Sequence, residues 1–238
     1  MRTLILITAA ICITVGGATV DNQLIRGSNI GPTKDGASFC LATEAESKPN
    51  GLLPATLRYQ LDASKSKFIA HALAGGLLWF KGHNHLIAVR EFTGEAQLTP
   101  GSITPASLVI TAKTASMVET SSVFTEPQKQ IINKELREIV LHPDQYPEIV
   151  FRSTSVTGKP TSSNEYDLKI TGGLTLHGVT RQITIPTRLT VIGNELRAQG
   201  EFSINRSDFK VKATSAVHGL VRVRDKLKFT FDIVGHQQ

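Results

Sequence analysis

Tyr166-Asp167-Leu168-Lys169-Ile170-Thr171-Gly172-Gly173-Leu174-Thr175-Leu176-His177-Gly178-Val179-Thr180, running on through Ile183, Ile185 and Leu189 to Val191, decides the fold. Tyr166, Leu168, Ile170, Leu174 and Leu176 share one parity, with Asp167, Lys169, Thr171 and Thr175 between them. Apolar residues at every second position describe a strand with one apolar and one wetted face; a helix would space them by three and four. The pattern turns at His177-Gly178 and resumes, so the segment predicts a β-hairpin. The same period returns at Leu196, Ala198, Gly200, Phe202 and Ile204, and again at Leu227, Phe229, Phe231 and Ile233.

Working outward, strand candidates recur along the chain. Tyr59 to Leu61 with Phe68 to Leu73 form the first, interrupted near Ser64; Leu86 to Leu98, Leu108 to Ala115 and Glu148 to Val156 follow. The hairpin, the Leu196 run and a last strand from Leu220 to Val234 bring the number to about eight. Turn residues punctuate them at Thr99-Pro100-Gly101, Gly158-Lys159-Pro160 and Gly193-Asn194. One segment breaks the rhythm: between Glu126 and Leu141, Ile131, Ile132, Leu136, Ile139 and Val140 recur at helical spacing, and His142-Pro143 stops them. About eight one-faced strands with no second sheet signalled predict an all-β, antiparallel, lipocalin-like barrel, since closure removes exposed edges, with one amphipathic helix capping an open end. An outer-membrane barrel would reverse the polarity of the two faces. The amphipathic helix, the single Trp79 and the lack of aromatic girdles favour an apolar interior.

The first 18 residues read as a signal peptide: Arg2, then an apolar run from Leu4 to Val15, then Gly16-Gly17-Ala18. That run is too short to span a bilayer, and no later stretch is long and apolar enough, so no integral span is expected after cleavage. A periplasmic or secreted product follows. Cleavage removes one of 26 basic residues, leaving 25 against 20 acidic, a net +5. The densest basic run, Arg222 to Lys228, alternates with Val223 and Leu227 and contains Asp225, which describes the wetted face of a strand; nucleic acid is rejected as the main partner. Cys40 is the one cysteine left, so no internal disulfide forms, and it is an idle thiol or the means of pairing two copies as a homodimer. Residues 19–56, rich in Gly, Pro, Ser, Asn, Lys and Glu, read as a poorly ordered arm, leaving 57–238 as one barrel domain.

Phe68, Phe92, Phe151, Leu168, Ile170, Leu174, Ile183, Ile185, Phe202, Phe229 and Phe231 fall in the apolar registers. Such rows either line a slim lumen that holds one elongated apolar ligand or fill the barrel as a dry core, whose partner would then be met at the surface. A charge at Ile170 or Phe229, if they face a lumen, would abolish ligand retention. The histidines offer a rival chemistry. His83 and His85 share a parity, and with His71 they are candidates for a zinc or copper site or an enzyme at the barrel mouth, although a metal wants three or four ligands with supporting partners. Ser207, His177 and Asp208 name a hydrolytic triad, but no nucleophile elbow or Gly-rich oxyanion loop accompanies them. No enzyme activity and no cofactor are expected.

The Ile170-Thr171-Gly172-Gly173-Leu174-Thr175-Leu176-His177-Gly178-Val179-Thr180 run resembles the TGxLTxHGVT signature of the YceI-like family. Further matches lie in His142 to Ser153, Phe202 to Phe209 and Asp225 to Phe231, covering about residues 57–235 in the family's order. The resemblance implies a lipocalin-like antiparallel barrel and an exported, non-enzymatic carrier or storage protein for a polyisoprenoid, a quinone-like molecule or another long-chain lipid. The chain departs from the family's pattern at Lys210, where Gly is common, in the region from Gly75 to Arg90, and in the helical run from Lys129 to Leu141.

Overall fold

In the computed structural model, residues 55–238 are described, apart from 79, 81, 100 and 217–219. The expected signal peptide, Cys40, nearly all of the arm, Trp79 and Pro100 lie outside the described residues. Thirteen strands are present among them: β1 (Leu57–Ala72), β2 (Ala74–Gly75), β3 (His85–Val89), β4 (Phe92–Thr99), β5 (Ser102–Lys113), β6 (Met117–Glu119), β7 (Glu148–Pro160), β8 (Glu165–Leu176), β9 (Val179–Ile192), β10 (Glu195–Asn205), β11 (Ser215–Ala216), β12 (Val221–Val223) and β13 (Lys226–Gln237). Helix α1 (Glu126–Glu135) continues into one widened π-helical segment, Leu136–Leu141.

Eight strands close a ring in the order β13-β10-β9-β8-β7-β5-β4-β1, with β1 pairing back onto β13, all antiparallel. The fold is therefore a closed eight-stranded barrel with one helix. β1 is long enough to change partners: Leu57–Gln60 pairs with β4, and Ile69–Ala72 pairs with β3, which carries β6 beyond it. The expected interruption near Ser64 is a bulge against β13. Asp62 accepts hydrogen bonds from the Ser64 amide (2.9 Å) and hydroxyl (2.6 Å), and the Ser66 hydroxyl accepts the Val234 amide at 2.9 Å. Side chains thus satisfy backbone groups that the ladder leaves open.

The deciding hairpin is β8–β9, with Tyr166 opposite Leu189 and Leu176 opposite Val179. His177 (φ 52°) and Gly178 (φ 74°) both take positive φ, the geometry of a two-residue turn whose twist matches the strands. Its two faces separate as the parity requires: Ile170, Leu174, Leu176, Ile185 and Leu189 are buried, whereas Thr171 pairs with Thr184, and Thr175 with Thr180, on the outside at 2.9 and 2.8 Å. Gly172 sits on the inward parity, and the Phe151 ring occupies the place of its absent side chain.

Three expectations change. Leu86 to Leu98 is two strands, broken at Arg90-Glu91, because the Glu91 amide bonds to Ser116 Oγ (3.0 Å) and its carbonyl accepts the Lys113 amide (3.0 Å). Leu220 to Val234 divides at Arg224-Asp225 into β12 and β13, since Arg224 turns its amide to the Leu73 carbonyl (2.9 Å). The helical run is α-helical only to Glu135. Beyond it the His142 amide bonds to the Arg137 carbonyl five residues back, and His142 itself ends the segment in the left-handed conformation. Lys210 also adopts left-handed geometry (φ 58°), so a lysine occupies a backbone conformation that glycine takes without strain.

Candidate functional site

Closure of the ring leaves space inside. Toward the β4–β5 turn, residues of all eight ring strands enclose a lower, apolar chamber of about 140 Å³. Toward the helix, a second cavity of about 340 Å³ lies beneath Ile132, Leu136, Val140 and Leu141. Phe68, Ala112, Ile149, Leu174 and Phe202 line both, so the two chambers abut at a waist. Phe229 bridges the aromatic side of that waist, stacked on Phe202 (centroids 5.0 Å apart, planes 9° apart) and tilted toward Phe68 at 6.1 Å. Offset aromatic pairs of this kind hold their rings in place beyond simple burial.

Of the apolar residues singled out from the sequence, Phe151, Leu168, Ile170, Ile183, Ile185 and Phe231 line the lower chamber and Phe229 the upper, while Phe68, Leu174 and Phe202 line both. Phe92 is buried yet faces neither; opposite Ala112, it packs in the core beside the chambers. Sequence reasoning missed Ala96, Ala106, Ala112 and Ala198, which make room rather than fill it. Their signal was alanine on the inward parity of long strands. It also missed Thr187, buried in the lower chamber with its hydroxyl donated to the Ile185 carbonyl at 3.3 Å, so that this hydroxyl is not left unpaired.

The helix end carries the charge. Arg206, Lys212 and Arg222 line the upper chamber there, with Glu135, His83 and His85. Arg206 donates to the Val211 carbonyl at 2.9 Å. Beside the chamber, Glu119 is buried, and its carboxylate accepts hydrogen bonds from His85 Nδ1 (2.8 Å), the Ser121 amide (2.8 Å) and the Leu86 amide (3.1 Å). Burial alone would raise its pKa, but these donors together hold it below the ordinary glutamate value. The Glu119 backbone amide in turn donates to Asn133 Oδ1 on α1 at 2.7 Å, so the helix cover is tied to the stretch of backbone that this carboxylate holds in place.

A depressed carboxylate pKa adds stability above the unfolded value, and that stability is lost as pH falls through the folded one. The helix cover is therefore expected to loosen below about pH 4.5, the range where a free glutamate takes up its proton. Glu119→Gln should remove that step from the pH profile of thermal unfolding while lowering stability at pH 7. A step that persists in the variant assigns the effect elsewhere.

His71, His83 and His85 are engaged by neighbouring side chains. His85 stacks on Phe124 (5.1 Å, 16°) and bonds to Glu119, His83 meets Phe124 edge-on, and His71 Nε2 lies 2.9 Å from Thr230 Oγ1. Among the described residues, no three His, Cys, Asp or Glu are grouped to hold a metal ion. His177 packs 4.0 Å from the Tyr146 ring; burial, then His142 and Lys212 nearby, holds its pKa below the ordinary value. Ser207 donates its hydroxyl to Asp225 at 2.7 Å, not to a histidine, so the triad named from the sequence does not assemble.

The arrangement can hold an elongated apolar molecule running through a waist, with polar groups at one end. A model of the YceI-like domain matches residues 59–235. A UPF0312 protein of Pseudomonas savastanoi pv. phaseolicola is 35% identical over 104 residues, 40% of this chain and 50% of that relative, so the chain spans about half the length of the curated relatives it matches. In structure the chain is similar to Burkholderia cenocepacia BcnA (TM-score 0.56, 21% identity, 73% of this chain and 98% of that one). It is also similar to a polyisoprenoid binding domain from Saccharophagus degradans implicated in plant cell wall breakdown (TM-score 0.53, 11% identity, 76% and 99%). At such identities the two structures speak for the fold.

Proposed function

This chain belongs to the YceI-like domain family, and on that premise we propose that it is an exported carrier or storage protein that holds a polyisoprenoid, a quinone-like molecule or another long-chain lipid in its lumen. The observation that carries the reading is the pair of abutting apolar chambers. At about 24 cal/mol per Å³, leaving a space of the lower chamber's size (about 140 Å³) unfilled costs about 3 kcal/mol. An apolar occupant recovers much of that. Burying roughly 400 Å² of ligand at about 25 cal/mol per Å² contributes about 10 kcal/mol before association costs, enough for micromolar to nanomolar binding without a specific hydrogen bond. A head group at the polar end would then set orientation more than affinity.

The roles fall on residues of this chain. Ile170, Ile183, Ile185 and Phe231 would grip the tail in the lower chamber, Phe68, Leu174 and Phe202 would close on it at the waist, and Phe229 would hold the part nearest the helix. No step converts the ligand; the barrel holds it and shields it from water. The test is native mass spectrometry of protein purified from an exporting bacterial host, followed by organic extraction. One co-purifying lipid per chain is expected. Protein that comes out empty and takes up no added isoprenoid returns the barrel to a dry core acting through its surface.

A further inference from the structure

The loops around the upper chamber end in apolar tips. Leu77 is 77% exposed and Phe80 63%, and Leu73 and Leu220 are exposed beside them. They form one construction: the Leu78 amide bonds to the Leu220 carbonyl (3.0 Å), Gly75 pairs with Arg222, and Arg224 spans back to the carbonyls of Leu73 and Ala74 through its amide and Nε, both at 2.9 Å. Gly76 holds the approach close, since at its φ of +89° a Cβ would lie 2.5 Å from the Leu220 oxygen. These tips gain nothing from water, and they stand next to an excess of positive charge. Residues 206–228 contain seven Lys and Arg against two Asp, an excess of five in a chain whose whole net charge is +6. Asp225 is already engaged by Ser207 and Arg206 and Asp208 by Asn205, whereas Arg222, Arg224, Lys210 and Lys212 are exposed. Lys212 and Arg222 also line the upper chamber, so apolar tips, basic belt and chamber share one end of the barrel.

We infer that this end is a docking surface for an anionic lipid bilayer, with Leu77 and its neighbours entering the interface and the basic belt resting on lipid head groups. Exposed apolar side chains flanked by cations are the signature of interfacial membrane binding, where each cation near an anionic surface adds an attraction that salt screens. The purpose of such docking rests on the lipid-carrier reading, since it would bring the upper chamber to its source of lipid. The surface itself stands on the geometry of the loops.

The experiment is co-sedimentation of the full chain with vesicles of mixed phosphatidylglycerol and phosphatidylcholine and with pure phosphatidylcholine vesicles. Emission of the chain's one tryptophan, Trp79, between Leu77 and Phe80 in sequence, is read in parallel. Binding to the anionic vesicles with a blue shift is expected, at least tenfold weaker on the neutral ones and in high salt. Leu77→Asp and the pair Arg222→Glu, Arg224→Glu should each weaken it tenfold or more. Ile192→Asp, as exposed a position at the opposite end of the barrel, should leave it unchanged. Both single sites lie at the surface, and unchanged melting curves establish that the variants fold. Indifference to anionic vesicles, equal effects of Leu77→Asp and Ile192→Asp, or a second copy of the chain covering Leu77 in solution would each overturn the inference. Protein that docks yet never carries extractable lipid overturns the carrier reading alone; protein that is loaded yet ignores vesicles overturns docking alone.

Discussion

Gly172→Ala is expected to lower stability by about 3 kcal/mol, a fall of roughly 10 °C in Tm for a domain of this size. A Cβ at Gly172 would lie 2.2 Å from the Arg152 carbonyl oxygen and 2.7 Å from Phe151 Cζ. The oxygen belongs to the β7–β8 ladder and cannot yield without breaking it, while the Phe151 ring could withdraw only by turning into the lower chamber that it lines. Gly173 is the matched control. It faces outward, where a Cβ meets only Thr180 Cγ2 at 3.3 Å, so Gly173→Ala should cost less than about 1 kcal/mol. Thermal and urea unfolding of both variants decide the matter. Equal losses would mean that strand propensity, not the approach of Phe151, sets the effect.

Ala198→Phe is expected to reduce affinity for a long isoprenoid about 100-fold, close to 2.7 kcal/mol, while leaving Tm unchanged or slightly raised. Ala198 lines only the lower chamber, and a benzyl group there fills space instead of displacing packed atoms. A short apolar probe that fits beneath the helix should bind the variant as it binds the parent. Titration with isoprenoids of increasing length reads the difference. Undiminished affinity for the long chains would mean that the ligand never passes the waist.

The barrel itself was legible because its strongest signals are local. Period-two alternation in Tyr166 to Val191 needs no distant partner to be recognised, and its turn carries the glycine that positive φ favours. The division of Leu86 to Leu98 was not legible, since the break at Arg90-Glu91 has no glycine or proline and depends on Lys113 and Ser116, more than twenty residues away. The helix shows the same limit. Of the five residues that fit its apolar spacing, Ile132, Leu136 and Val140 meet the chamber, while Ile131 and Ile139 are left exposed.

The lumen was half legible. Rows of Leu, Ile and Phe announce an interior, but whether that interior is full depends on which small residues fall opposite which large ones, a matter of cross-strand register. Ala112 opposite Phe92 illustrates it: the alanine borders both chambers and the phenylalanine neither. The basic run from Arg222 to Lys228 reads correctly as a wetted surface, but its neighbours Leu73 and Leu77 are brought to it by pairings across about 150 residues.

The pairing of β1 with β13 also imposes an order in time. Tyr59 meets Gln237, so the seam joins the first strand of the ring to the last, and nothing made earlier in synthesis can substitute. Until Lys226–Gln237 emerges, the nascent sheet has two bare edges and no inside, which makes its completion slow and the unfinished chain prone to stick to others. A vessel of this design exists all at once or not at all: a chain that stops short of its final strand is a different object, an open sheet with an apolar face and nowhere to keep a guest.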